Sequence, residues 1–146
     1  MEKAFDISMI ADFVPTLIGY LPVTLYILTL SLLFGFVLGL FLALPRIYNF
    51  PIVNQFARVY ISFFIGTPVM VQLFIVFYGI PALTGVIGID TSKMDPFYAA
   101  VATYALSNAA AAAEIIRAGA GSVDKGQTEA AYSIGLSGRQ AFRRIV

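Results

Sequence analysis

The 146-residue sequence contains neither cysteine nor histidine, and only 12% of its residues are charged. Without cysteine there is no disulfide to predict and no argument about redox compartment. Without histidine, zinc sites and histidine-based catalysis within this sequence are excluded. The sequence also lacks a glycine-rich loop ending in Gly-Lys-Ser or Gly-Lys-Thr, so it offers no such phosphate-binding loop for ATP.

The scarce charges are also segregated along the sequence. Residues 13–45, 59–89 and 96–113 carry none. Each of these stretches can hold a membrane span, which needs about 20 mostly apolar residues. Soluble domains carry about 25% charged residues, whereas 60% of this sequence is hydrophobic and its mean hydropathy is +0.88. The net charge of +1 gives no indication of nucleic-acid binding, and an aromatic content of 14% on apolar spans suits lipid.

Turn residues divide the sequence into three predicted spans. Pro22 suits the first turn of a helix, and Asp95 with Pro96 predicts a cap and a first turn for the third span. Residues 1–21 are mildly amphipathic, which indicates an interfacial helix or, equally well, a frayed end. The predicted segments are an extracytoplasmic or interfacial stretch (1–21), three transmembrane helices (22–44, 55–80 and 96–117) and a cytoplasmic tail (118–146).

The second predicted span is interrupted at 66–68, where Gly66 precedes a predicted N-cap, Thr67, and a first-turn residue, Pro68. A broken helix is tolerated in a bilayer only against protein or a water-filled cavity. The break is therefore predicted to face the interior or a pathway, with a simple proline kink as the alternative. The candidate pathway residues are Thr67, Gln72, Ser107 and Asn108; hydrogen bonding between helices is the alternative for each.

Depth along the third span separates its polar residues. Asn108 lies about 17 Å from the start of the helix, near the bilayer midplane, and Glu114 lies about 26 Å along, near the interface. A charge is less costly near the end of a span, so Glu114 is predicted to pair with Arg117 as a structural latch. In the first span, Gly35 and Gly39 predict close approach of another helix, more readily within the chain than between two copies.

The tail reads as two short helices around a sharp corner. Asp124 with Gln127 has the spacing of a capping box, and Ser137 with Gln140 repeats it. Gly135 lies between them and is suited to a left-handed helix end. The alanines on the first short helix predict a shallow surface on which another protein could dock.

These tail residues carry a family resemblance. Glu129-Ala130-Ala131, Gly135 and Ile145 have the spacing of the EAA loop of ABC-importer permeases. Three further blocks resemble the polar amino-acid branch of that family, and the resemblance extends from about residue 16 to the end. The blocks are Gly66–Phe74, Glu114–Gly119 and Ser122–Gln127.

The resemblance implies an all-α integral membrane protein with three helices of a type I ABC importer permease, from a family core of five, and a helical EAA coupling loop. It implies no enzyme activity in this chain, because ATP and Mg would be bound by a partner ATPase subunit. The other implied partners are an extracytoplasmic solute-binding protein and a second or sister permease. The expected ATPase-coupling residues are Gln127, Glu129, Ala130, Ala131, Gly135, Arg139 and Ile145.

Loop charges predict the orientation independently of the family. If the three spans alternate in direction, the basic residues on one side are Arg46, Arg58, Arg117 and those of the tail. The basic residues on the other side are only Lys3 and Lys93. The positive-inside rule places the first side in the cytoplasm. We therefore expect a multi-pass protein of a bacterial cytoplasmic membrane, with its N-terminus outside and its EAA loop inside.

Some features depart from the family pattern. The family commonly has arginine where Ile65 stands and tyrosine where Ala111 stands, and the Leu-Pro and last two spans are missing, which suggests a fragment. Cystine is the preferred solute, with glutamine, glutamate, histidine and arginine open. A non-transporting membrane anchor or an importer permease for another small solute is the alternative.

Overall fold

The computed structural model describes residues 7–91 and 93–145, except for the side chains of residues 7–12 and 125. Within these ranges all regular structure is helical. The elements are α1 (Ile7–Ile47), α2 (Pro51–Gly66), α3 (Val69–Phe74), a π-helical turn (Ile75–Gly79), α4 (Ile80–Val86), α5 (Pro96–Gly121), α6 (Lys125–Ser133) and α7 (Gly138–Ile145).

Helix α1 is continuous from residue 7 to residue 47, so the predicted start of a helix at Pro22 is wrong. Pro15 and Pro22 both lie inside the helix. A proline removes one backbone donor, but helices in membranes tolerate this because neighbouring groups satisfy the freed carbonyl. The interfacial position predicted for residues 1–21 stays a prediction, and residues 1–6 lie outside the described ranges.

The predicted interruption of the second span is present, but its caps differ from the prediction. Thr67 is the C-cap of α2, and Pro68 is the N-cap of α3. The hydroxyl of Thr67 donates back to the carbonyl of Phe63 at 2.8 Å, which explains why Thr67 closes one helix rather than opening the next. The helical segment also continues beyond the predicted end at residue 80, through the π-helical turn into α4, which contains Pro81.

The third predicted span is α5, and its predicted cap is confirmed. Asp95 Oδ1 accepts a hydrogen bond from the backbone N–H of Phe97 at 2.8 Å, and Pro96 is the first residue of the helix. The helix ends at Gly121, four residues beyond the predicted end at Arg117.

Helices α1 and α5 pack side by side and run parallel, because their contacts advance along both helices together. Ser31 donates to the carbonyl of Val101 at 3.3 Å. A Cβ atom added to Gly35 would lie 2.7 Å from Asn108 Cβ, and one added to Gly39 would lie 2.7 Å from Ala112 Cβ. The small-residue step is therefore used for packing within the chain, as the sequence favoured.

Helix α2 completes the core after a tight turn. Asn49 adopts a left-handed conformation with φ of 56°, and Phe50 N–H donates to Pro45 O at 3.1 Å. The hydroxyl of Tyr60 then joins α2 to α5 by donating to Leu106 O at 2.9 Å. The buried cluster shared by α1, α2 and α5 comprises Leu42, Ala43, Ala57, Ile61, Ala109, Ala110 and Ala113.

Three stretches of the described residues are long and apolar enough to cross a membrane. They are Phe13–Ile47, Val69–Val86 and Pro96–Gly121. Most large apolar side chains on their outer faces are exposed, as expected where lipid or further helices replace water.

Candidate functional site

Helices α6 and α7 form a two-helix corner, residues 125–145, which we call the elbow. Asp124 begins it, because its Oδ1 accepts a hydrogen bond from the backbone N–H of Gly126 at 2.7 Å. This bond satisfies one of the donors left open at the start of α6. The two helices of the elbow contact each other directly.

Gly135 closes α6 in the way that the sequence predicted. Its φ is +82°, a conformation that costs glycine nothing and other residues considerably more. Gly135 N–H donates to Tyr132 O at 2.9 Å, and Leu136 N–H donates to Ala131 O at 3.1 Å. This pair of bonds is a Schellman motif, which satisfies the last carbonyls of the helix.

The second half of the corner uses the predicted pairing of Ser137 and Gln140. Gln140 Oε1 accepts from the backbone N–H of Ser137 at 2.8 Å and from its hydroxyl at 3.0 Å. A side chain three residues into the helix thus reaches back to its start, as in a capping box. The predicted two helices around Gly135 are confirmed.

Only one of the two alanines that were predicted to form a docking surface is exposed. Ala130 is exposed, but Ala131 is 3% exposed and Ala141 of α7 is 2% exposed. Adjacent residues on a helix point about 100° apart, so when Ala131 packs into the corner, Ala130 faces outward. Among the other predicted coupling residues, Ile145 is half-buried, and those on the outer surface are Gln127, Glu129, Gly135 and Arg139.

Large apolar side chains are also exposed on this polar elbow. Tyr132 is 52% exposed, Phe142 is 53% exposed and Ile134 is 79% exposed. Tyr132 and Phe142 line a groove together with Tyr48 of the α1–α2 turn. The elbow therefore lies beside the end of the bundle at which α1 ends, and it offers aromatic side chains with arginines around them.

A cluster of three charges joins the ends of α1 and α5 near the elbow. Glu114 pairs with Arg117, as the sequence predicted, and Arg117 Nε donates to Glu114 Oε1 at 3.0 Å. Glu114 also pairs with Arg46, which the sequence analysis missed. Spans one and three run in the same direction, so their last turns meet on one side of the membrane. The alternating direction of the spans could have indicated, from the sequence, that Arg46 and Glu114 lie on the same side of the membrane.

The four candidate pathway residues lie in two places. Thr67 and Gln72 are together at the break, where Gln72 Nε2 donates to Thr67 Oγ1 at 2.9 Å. Asn108 lies on the α1-facing side of α5 and lines a groove with Ser31 and Tyr104. Ser107 is half-buried on the same helix, about 100° around from Asn108. Their roles in a pathway stay predictions.

Comparison with known proteins links this architecture to transport. Residues 35–146 match the family described as "Binding-protein-dependent transport system inner membrane component". Over all 146 residues the chain is 91% identical to the L-cystine transport system permease protein TcyL of Bacillus subtilis (strain 168) and covers 61% of that protein. It is 40% identical over 131 residues to the arginine transport system permease protein ArtQ of the same organism, covering 90% of this chain and 57% of the relative.

A solved structure has the same fold. "Crystal structure of an amino acid ABC transporter with histidines" matches 98% of this chain and 64% of that chain, with a TM-score of 0.82 and 33% sequence identity. The chain thus spans about 60% of the length of the curated relatives that it matches. The three candidate spans and this match confirm the predicted fold class, an all-helical membrane protein of the permease type.

Proposed function

Because this chain belongs to the family of binding-protein-dependent transport system inner membrane components, we propose that it serves in the permease subunit of an ATP-driven amino-acid importer. The proposed solute class is polar amino acids, with L-cystine preferred. The observation that carries the proposal is the identity of 91% to an L-cystine transport system permease over every residue of the chain. Within the matched residues, few positions differ between this chain and that permease.

The proposed orientation puts the N-terminus outside the cell and the elbow in the cytoplasm. The last turn of α1, which contains Arg46, meets the last turns of α5 through Glu114. The elbow follows α5 after only three residues, so these basic groups lie at one end of the bundle. The positive-inside rule supports the assignment of that end to the cytoplasm.

The elbow is the proposed docking site for a partner ATPase subunit, which would bind ATP and Mg. Glu129, Ala130 and Arg139 are exposed and would contact the partner, while Ala131 and Gly135 would hold the corner in shape. The exposed aromatic side chains of Tyr132 and Phe142 support a protein partner here, because aromatic residues and arginine are enriched in protein interfaces. An extracytoplasmic binding protein would deliver the solute, and a second permease would complete the pathway.

The packing supports transmission of force from the elbow into the membrane. Helix α5 runs into the elbow, and α5 is packed against α1 without room for even a methyl group at Gly35 or Gly39. The pair of Arg46 with Glu114 ties the same two helices at their ends. A displacement of the elbow would therefore carry α1 and α5 together as one body, which is how alternating access would be driven.

The test is uptake of labelled L-cystine by cells with and without the gene for this protein. We expect loss of the gene to lower cystine uptake and a plasmid copy to restore it. Labelled glutamine and arginine serve as controls for solute preference. Unchanged cystine uptake in the deletion strain, with loss of uptake of another amino acid, would contradict the assignment of cystine; no change for any of them would contradict the importer.

A further inference from the structure

The break between α2 and α3 leaves the backbone carbonyl of Phe64 without its usual helical donor, because a proline follows four residues later. In a continuous helix the carbonyl of Phe64 would accept a hydrogen bond from the backbone N–H of residue 68. Residue 68 is proline, which has no N–H. An apolar environment provides no water to replace that donor, so the carbonyl needs a partner from the protein.

The side chain of Gln72 supplies the missing donor. Its Nε2 lies 2.8 Å from Phe64 O, 2.9 Å from Thr67 O and 2.9 Å from Thr67 Oγ1. The Thr67 hydroxyl in turn donates to Phe63 O at 2.8 Å. Two side chains thus cap the last carbonyls of α2. Gln72 is only 2% exposed, so these bonds form away from solvent.

The acceptors fix which way the Gln72 amide points. Reversing the amide would place Oε1 against the carbonyl oxygens of Phe64 and Thr67, which would be repulsive. In the observed orientation Oε1 is buried and has no hydrogen-bond partner among the described residues. The amide nitrogen of Gln72 is therefore bonded to main-chain carbonyls, and its amide oxygen is left without a hydrogen bond from the described residues.

We infer that Gln72 is a positioning residue of the transport cycle, because its amide replaces the hydrogen bond that Pro68 removes and so sets the angle between α2 and α3. This inference differs from a role in solute contact, and its transport readout rests on the proposed function. Helix α3 begins directly after the break and packs against α5, which leads into the elbow. An altered angle at the break would displace α3 from α5.

The first test compares Gln72→Met in two backgrounds, using the assembled full-length transporter in detergent. Methionine has a similar length but donates no hydrogen bond, so we expect the unfolding midpoint to fall by about 3–6 °C. Pro68→Ala restores an N–H at residue 68 and removes the restriction that proline places on residue 67. In the Pro68→Ala background we expect Gln72→Met to lower the unfolding midpoint by less than half as much. Gln55→Met, at an exposed position of α2, is the matched control and should have no effect.

The second test is uptake kinetics of the same variants. Gln72→Met should lower the maximal rate about tenfold and leave the half-saturation concentration within about twofold, because no donor to the solute is lost. A raised half-saturation concentration with an unchanged maximal rate would overturn the inference in favour of solute contact.

The two tests separate the inference from the proposed function. The inference would be overturned, whatever the solute, if Gln72→Met lowered the unfolding midpoint equally with proline and with alanine at position 68. If Gln72→Met fails to assemble, recovery of assembly by Pro68→Ala supports the inference and absence of recovery overturns it. If the unmodified transporter takes up no amino acid, the proposed function fails, while the comparison of unfolding midpoints still decides the role of Gln72.

Discussion

Gly135 is the residue at which backbone conformation and the proposed coupling function meet. Its φ of +82° lies in the left-handed region, and its N–H and that of Leu136 close the end of α6. A β-branched side chain is disfavoured there because its Cβ approaches the backbone. The angle between α6 and α7 therefore depends in part on this position.

We predict that Gly135→Val uncouples ATP hydrolysis from uptake. The strain at the corner, of order 1–3 kcal/mol, is relieved when α7 moves, whereas the spans are untouched. Uptake should fall at least about tenfold while the amount of transporter in the membrane is unchanged. The measurement is uptake and ATP hydrolysis by the same reconstituted complex.

Asparagine provides the control at this position. Asparagine adopts the left-handed conformation more readily than other residues with a side chain, so Gly135→Asn should retain most coupled uptake. No Cβ contact within 4 Å opposes either substitution, so conformation rather than space is being tested. Normal coupled uptake in Gly135→Val would count against the elbow as the transmitting corner.

Glu114 illustrates a residue whose role depends on its second partner. A pair on one exposed helix face, such as Glu114 with Arg117, contributes little to stability because water screens it. Arg46 comes from another helix, and its side chain is only 14% exposed against 41% for Arg117. The link to Arg46 is therefore screened less by water, and it is the link that joins two spans.

At the scale of elements, the parallel packing of α1 on α5 depends on glycine at two positions. We predict that Gly39→Ala destabilises the protein, although alanine is the better helix former by about 1 kcal/mol. The added Cβ would lie 2.7 Å from Ala112 Cβ and 2.9 Å from the carbonyl of Ala109, and the latter cannot move without shifting α5. Overpacking of this kind costs about 1–3 kcal/mol, so the steric cost outweighs the gain in helix propensity.

Gly19→Ala on the same helix is the matched control, because nothing lies within 4 Å of its added Cβ. The helix-propensity gain is then unopposed, and Gly19→Ala should leave the unfolding midpoint unchanged or raise it slightly. Thermal unfolding of the purified protein in detergent checks both variants. Equal midpoints for Gly39→Ala and Gly19→Ala would contradict the close approach of α1 and α5.

Local chemistry explains which elements the sequence could predict. The caps at Asp95, Asp124 and Ser137 and the helix end at Gly135 were predicted correctly, because each depends on side chains within a few residues of the backbone they satisfy. The start predicted at Pro22 was wrong, because a proline that suits the first turn of a helix is also tolerated in the interior of a membrane helix.

Features that depend on neighbouring helices could not be predicted in the same way. The pairing of Arg46 with Glu114, the burial of Ala131 and the capping of Phe64 by Gln72 each require knowledge of which faces meet. Periodicity gives the apolar faces of a helix, but in a membrane helix nearly every face is apolar. The sequence therefore indicates the elements and the candidate residues, and the packing decides which residues act together.

At the scale of the whole molecule, the residues proposed to couple the chain to an ATPase lie at one end. The turn at Tyr48, the charge cluster around Glu114 and the elbow all lie where α1 and α5 end, and Lys93 lies in the connection that precedes α5. Because α5 runs in one direction across its length, its two ends are on opposite sides of any membrane that it spans.

This arrangement predicts that labels reach the two ends from opposite faces of the cell. The sequence has no cysteine, so Arg139→Cys and Lys93→Cys each introduce a single thiol into it. In intact cells, a membrane-impermeant maleimide should label Lys93→Cys and not Arg139→Cys, and in inverted vesicles the pattern should reverse. Ala57→Cys, buried in the core, should resist labelling in both. Labelling of Arg139→Cys in intact cells would place the elbow outside, where no ATPase could dock, and would remove the physical basis of the coupling mechanism.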